Sequence, residues 1–291
     1  MNKNNENIKK KVGIAACSNG LSESSKIYVE NLLNLLRNIC VEPELSDFLY
    51  KKDENGFQGT AEERAEALMS FYKDNNINAV FDISGGDIAN EIIPYLDYDI
   101  IAKADKTFWG YSDLTTVINA IYNKTGKSSV LYQVRNLLIN QEQNIDKINA
   151  FINTFIYQKS DLFKFPYDMV YGDGMEGIVV GGNIRCFLKL AGTEYFPDLN
   201  GKILLLESMS GDVYKTNAYF SQLKMLGAFD KVNGVLLGTF TELEQNTEKE
   251  FYLSILKKYT GNIPLAKTQF IGHGKDSYAV VIGENLLLSV V

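Results

Sequence analysis

The chain has 291 residues, 45% hydrophobic and 22% charged, the make-up of an ordinary globular protein with room for two domains or one large one. Its formal net charge is -7 with Lys and Arg dispersed, which argues against a nucleic-acid partner, because a phosphate backbone calls for a basic surface. Three scattered cysteines, a polar Met1–Lys11 and the lack of any apolar run near the roughly 20 residues a bilayer needs point away from a disulfide framework, a zinc site, a signal peptide and a membrane span. The expectation is a reduced, cytoplasmic protein without metal or cofactor.

Lys11–Cys17 (KVGIAAC) is a predicted buried strand ending in the turn Ser18-Asn19-Gly20. From Ser24 to Arg37 the apolar residues Tyr28, Leu32, Leu35 and Leu36 keep helical spacing. Thr60 with Glu63 three residues on is a capping-box pattern, opening a helix with Ala65, Leu68, Met69 and Tyr72 on one face. Ala79–Ile83 is a second strand, closed by Ser84-Gly85-Gly86-Asp87, and Thr107–Trp109 a third. Leu114, Val117, Ile118 and Ile121 mark a helix stopping near Gly126. The β–α alternation predicts a parallel sheet covered by helices.

Residues 140–170 loosen into a polar helix (NQEQNIDKINAFINTF) and a loop with aromatics and Pro166, and the domain junction is placed there. Beyond it, strands are expected at Gly177–Val180, Lys202–Leu206, Val232–Leu237, Tyr278–Ile282 and Leu286–Val290, with helices near 214–226 and 248–259. The expected class is α/β: an N-terminal parallel-sheet domain of the Rossmann or flavodoxin type over 1–160, and a smaller β-rich α/β domain over 161–291.

In Trp109-Gly110-Tyr111-Ser112-Asp113-Leu114 a strand enters a tight turn, sets a serine at its apex and continues into a helix, as in a nucleophile elbow. The amide of Asp113 would then face a developing oxyanion. G-x-S-x-G is only half matched, since Leu114 holds the second glycine's place, and a plain helix N-cap explains the serine as well. The chain has one histidine, His273, between Gly272 and Gly274, so any imidazole acid–base chemistry falls to it, although a lone histidine is often structural. Glu207 ends the apolar run KILLL; a carboxylate there needs a partner, catalytic or structural. Gly85-Gly86 offers open amides for an anion, or is simply a tight turn, and Gly181-Gly182-Asn183 reads the same way. No phosphate-binding glycine motif is present.

Together these segments resemble the serine peptidase family of LD-carboxypeptidases and the microcin C immunity peptidase, from about Val12 to about Gly283. The resemblance rests on Arg64-Ala65, Gly85-Gly86-Asp87 with Asn90-Glu91, Pro94-Tyr95-Leu96-Asp97-Tyr98-Asp99, Gly110-Tyr111-Ser112-Asp113-Leu114-Thr115, Gly181-Gly182-Asn183, Gly192-Thr193, Gly201-Lys202-Ile203-Leu204 with Glu207, and Gly272-His273. It implies a Ser112–Glu207–His273 triad, oxyanion donors at Asp113 and the Gly85-Gly86 turn, and a homodimer. The implied activity is carboxypeptidase cleavage of a small peptide, a muropeptide or a peptidyl-nucleotide. Ser208 stands where the family follows its glutamate with Asp or Glu, and no proline follows His273. Ser84 and Asp87, where LD-carboxypeptidases tend to carry arginine and tyrosine, tip the specificity toward the immunity branch. The rival readings are a non-catalytic binding paralogue that keeps the cleft, and a cysteine hydrolase working through Cys17.

Overall fold

The computed structural model describes residues 9–52, 56–139 and 145–290. Residues 1–8, which carry most of the polar start, and residues 140–144, the beginning of the expected polar helix, lie outside them. Contacts divide the chain into two compact units, Met1–Leu114 with Tyr132–Lys164, and Thr115–Leu131 with Phe165–Val291. The sequence places one junction near 160. The chain passes from one unit to the other after Leu114, Leu131 and Lys164.

In the first unit the strands β1 (Lys10–Ala15), β2 (Val41–Leu45), β3 (Ala79–Asp82) and β4 (Thr107–Gly110) lie in the order β4-β3-β1-β2 and are parallel. The runs VGIA and AVFD are continuous rather than alternating because both faces of these strands are buried. Gly13 is required where helix Ala61–Lys73 crosses β1: a Cβ there would lie 2.5 Å from the Phe71 ring. The Thr60–Glu63 capping box forms in both directions. Helix Lys26–Asn38 buries Val29, Leu32, Leu33 and Leu36, leaving Tyr28 37% exposed, so its face is rotated from the one the apolar spacing predicts.

Strand β2 (VEPEL) is absent from the sequence reading. Proline is tolerated because β2 is the last strand in the order, where a missing N–H leaves no ladder bond unmade. Helix Ile145–Phe155 buries Phe151, which packs edge-on against Phe81 and Trp109 and stacks on Phe155.

In the second unit, β5 (Ser129–Leu131) pairs antiparallel with Val280–Ile282. A mixed sheet is built from β6 (Asp168–Tyr171), β7 (Gly174–Asn183), β8 (Ile203–Ser208), β9 (Gly234–Phe240), β10 (Leu265–Lys267), and β12 (Asn285–Ser289), β11 being Val280–Ile282. Its order is β12-β7-β8-β9-β10-β6, with β7 to β10 parallel and the outer two antiparallel. Every residue of β8 and β9 is buried, and Phe187, Phe220 and Leu256 belong to the same core, Phe220 packing edge-on against Phe240 of β9.

Helix Thr115–Thr125 packs with this second unit for a specific reason. The Asn119 carboxamide accepts from Gly181 N at 2.9 Å and donates to Gly181 O at 2.8 Å, while Thr115 Oγ1 accepts from Asn183 N at 3.0 Å. Gly182 (φ +131°) leaves the room that Thr115 occupies. The Gly181-Gly182-Asn183 motif thus serves as a seat for this helix. Among the described residues no helix is long and apolar enough to cross a membrane.

Candidate active site

The first unit carries the elbow. After β4 the chain turns at Tyr111, and Ser112 adopts φ +56°, a left-handed conformation uncommon for a residue with a side chain and characteristic of strained functional turns. An N-cap residue has extended backbone, so the N-cap reading does not describe Ser112. Gly110 is needed because a Cβ there would lie 2.7 Å from Leu114 Cβ. Leu114 itself is fully buried, so the position that a second glycine would take is filled by core packing.

The side chain of Asp113 is buried and accepts from Ser18 Oγ at 2.7 Å and from Ala89 N at 2.8 Å. Its carboxylate therefore ties the elbow to the loops that follow β1 and β3. Gly86 has φ +138°, and a Cβ on it would fall 2.2 Å from the Asn19 side chain. Asn19 forms an antiparallel bridge with Gly85, and its Oδ1 accepts from Asp87 N at 3.0 Å.

Beneath these loops lies a buried polar layer. Asp82 accepts from Cys17 N at 2.6 Å, Ser84 N at 2.8 Å and Ser84 Oγ at 2.6 Å. Burial raises its carboxyl above the ordinary range, against the pull of those hydrogen bonds. Arg64 is buried, donates to Cys17 O at 2.7 Å and pairs with Glu91, which accounts for two of the family-like segments. Burial, with Asp82 beside it, pushes the Cys17 thiol well up, so Cys17 lacks the thiolate that a cysteine nucleophile needs.

The second unit carries the histidine–carboxylate pair. Glu207 is fully buried at the end of β8, and its Oε2 lies 2.8 Å from His273 Nδ1. The contact holds the ring by Nδ1, and a carboxylate oxygen in that place accepts from Nδ1–H. A register shift between Leu206 and Ser208 against β9 sets the direction of Glu207. The His273 loop is sewn to β9: Thr239 N donates to Ile271 O at 2.7 Å. Gly272 has φ +142°, and a Cβ on it would strike Thr239 Oγ1 at 1.8 Å. Gly238 likewise leaves room for Ile271 O and Glu207 Cβ, and Lys267 Nζ donates to its carbonyl at 2.6 Å. Ser208 Oγ donates to Ser210 O at 2.6 Å and shapes its own loop.

Of the residues singled out in sequence, Ser112, Asp113, Gly85 and Gly86 lie in the first unit, and Glu207 and His273 meet in the second. Sequence reasoning missed Ser18, Asn19 and Thr239. Only the turn-forming Ser18-Asn19-Gly20 gave a signal, and it says nothing about partners.

Residues 12–132 match the family model of the LD-carboxypeptidase N-terminal domain, and residues 176–288 match that of the LD-carboxypeptidase C-terminal domain. The chain belongs to the LD-carboxypeptidase family. It is accordingly an enzyme of the carboxypeptidase class. The "Probable murein peptide carboxypeptidase" of Bacillus subtilis is 29% identical over 88% of this chain and 82% of its own length. The microcin C7 self-immunity protein MccF of Escherichia coli is 30% identical over 62% of this chain and 61% of its own. A solved structure of MccF in complex with glutamyl sulfamoyl guanosine superposes with a TM-score of 0.85 at 20% identity, covering 97% of this chain and 93% of that one, and shares its fold.

Proposed function

We propose that this LD-carboxypeptidase family member is a serine hydrolase using Ser112, His273 and Glu207, cleaving an amide near the C-terminus of a small peptide. The observation that carries the reading is the buried Glu207 held 2.8 Å from the chain's single histidine. The left-handed backbone of Ser112 supports it from the other side.

In the proposed reaction His273 Nε2 takes the Ser112 proton as Oγ attacks the carbonyl carbon. The oxyanion is met by the amides of Asp113 and the Gly85-Gly86 turn. Collapse breaks the C–N bond, and the leaving amine takes the proton from His273. Water then repeats the sequence on the acyl-enzyme, its proton passing through His273 to Ser112 as the new carboxylate departs. Glu207 orients the imidazole and stabilises its cationic form.

For the substrate, the reading leans to a peptidyl-nucleotide amide over a muropeptide. Ser84, before the glycine pair, is buried and spends its hydroxyl on Asp82, so no cation stands there, and Asp87 after the pair is exposed. The relatives named above divide between the two chemistries. Three free cysteines fit a reducing cytoplasm, and the family resemblance carries a homodimer. The test compares wild type with Ser112→Ala on a muramoyl tetrapeptide and on an aminoacyl sulfamoyl nucleoside, following the released group. A loss of about 10³-fold or more in the variant supports the nucleophile. Equal turnover in both sinks it, and whichever compound the wild type cleaves assigns the branch.

A further inference from the structure

We infer that Ser18 and Asn19, in the loop after β1, are positioning residues that hold the two halves of the oxyanion pocket at a set spacing. The inference rests on the proposed function, in which the amide of Asp113 and the Gly85-Gly86 turn receive the oxyanion. Those two donors come from different loops, after β4 and after β3, and a mutual shift of about 1 Å would spoil them as a pair. The Ser18-Asn19 dipeptide touches both.

On the elbow side, Ser18 Oγ donates to Asp113 Oδ2 at 2.7 Å. On the glycine side, Ser18 N donates to Ser84 Oγ at 3.0 Å, Asn19 bridges Gly85, and Asn19 Oδ1 accepts from Asp87 N at 3.0 Å. The Asn19 carboxamide also fills the space a Cβ on Gly86 would occupy, so the turn cannot close further on that side. The dipeptide is itself anchored from below. Gln58 Nε2 donates to Ala16 O at 3.0 Å and to Ser18 O, and Arg64 Nη1 donates to Cys17 O at 2.7 Å. Ser18, Gln58 and Arg64 are all buried, which makes these contacts strong and hard to replace with water. Neither Ser18 nor Asn19 has a proton-transfer role in the mechanism, so the effect of either on rate runs through the backbone it holds.

A fluorophosphonate probe tests this without knowledge of the substrate. Serine Oγ bonds to phosphorus, fluoride leaves, the serine proton passes to His273, and the phosphonyl oxygen occupies the oxyanion pocket. Inactivation rate (kinact) and probe affinity (KI) are measured separately for wild type, Ser18→Ala, Asn19→Ala, Ser112→Ala and the conservative Ser18→Thr and Asn19→Asp. Ser18→Ala and Asn19→Ala are expected to lower kinact about 10- to 100-fold, with KI changed less than about twofold. Ser18→Thr, which keeps the hydroxyl, is expected to restore most of the rate, and Asn19→Asp, which keeps the acceptor for Asp87 N, most of the turn. Labelling of Ser112 at the wild-type kinact in the folded alanine variants overturns the clamp alone. So does a loss that Ser18→Thr and Asn19→Asp share in full, or one that matches the fraction unfolded by circular dichroism. An unlabelled wild type, or a Ser112→Ala that labels normally, overturns the nucleophile assignment and the clamp with it.

Discussion

Glu207 Oε2 stands 2.8 Å from His273 Nδ1, across 66 residues of sequence, with the carboxylate fully buried and the imidazole side chain 13% exposed. Burial of an acid beside the only imidazole in the chain sets the orientation of that ring. On the proposed mechanism the other ring nitrogen, Nε2, carries the proton transfer.

Replacing Glu207 by Gln keeps the shape and removes the charge. On the proposed mechanism kcat falls about 10²- to 10⁴-fold, since the amide neither selects the required tautomer nor stabilises an imidazolium. KM is expected to change little. A steady-state comparison checks this, and an unchanged kcat would assign the pair a purely structural role.

Gly272 precedes the histidine with φ +142°, and Thr239 Oγ1 lies 1.8 Å from the place a Cβ would take. The backbone strain in Gly272→Ala alone costs about 1–3 kcal/mol, and Thr239 or the His273 loop must also move. Urea unfolding should show a lowered midpoint, with activity falling further than the unfolded fraction explains. Wild-type activity in this variant would contradict the tight fit of the loop on β9.

Lys267 and Glu244 form an ion pair at 2.6 Å, with side chains 1% and 19% exposed. Lys267→Met removes the cation from a largely buried carboxylate, which keeps only its bonds from Phe240 N and the Tyr252 hydroxyl, and is expected to destabilise by about 3–5 kcal/mol. The double variant with Glu244→Gln should cost clearly less than the sum of the two single changes, because neither charge is then left alone. Chemical denaturation of the four proteins in the cycle measures the coupling; strict additivity would show that the pair contributes nothing as a pair.

Asp82 supplies a pH dependence. Its carboxyl is raised by burial, so the folded protein keeps this proton to higher pH than the unfolded chain does. The stability carried by the group is complete below about pH 4, where the unfolded carboxyl is also protonated, and is lost as pH rises through the folded value. Asp82→Asn cannot ionise. The difference in unfolding free energy, wild type minus variant, should therefore fall from about pH 4 upward and then level off. A difference independent of pH would mean that Asp82 ionises as freely in the fold as outside it.

The sequence by itself determined the α/β alternation, the capping box at Thr60 and the strand-turn-helix around Ser112. These depend on short-range terms: continuous apolar runs for buried parallel strands, a side chain bonding an amide three residues on, and glycine where no Cβ fits. Short elements escaped it. β2 contains a proline, and β6, β10 and helix Ile184–Leu188 are too brief to show a period.

Only the tertiary structure decided which polar groups meet. Nothing local pairs Glu207 with His273, Ser18 with Asp113, or Asn119 with Gly181, since each contact joins elements far apart in sequence. The left-handed conformation of Ser112 belongs to the same class: it is uncommon for a residue with a side chain, and the local residue types do not call for it. Hydrophobic periodicity records which face a residue buries. A buried hydrogen bond depends on where the other end of the chain arrives.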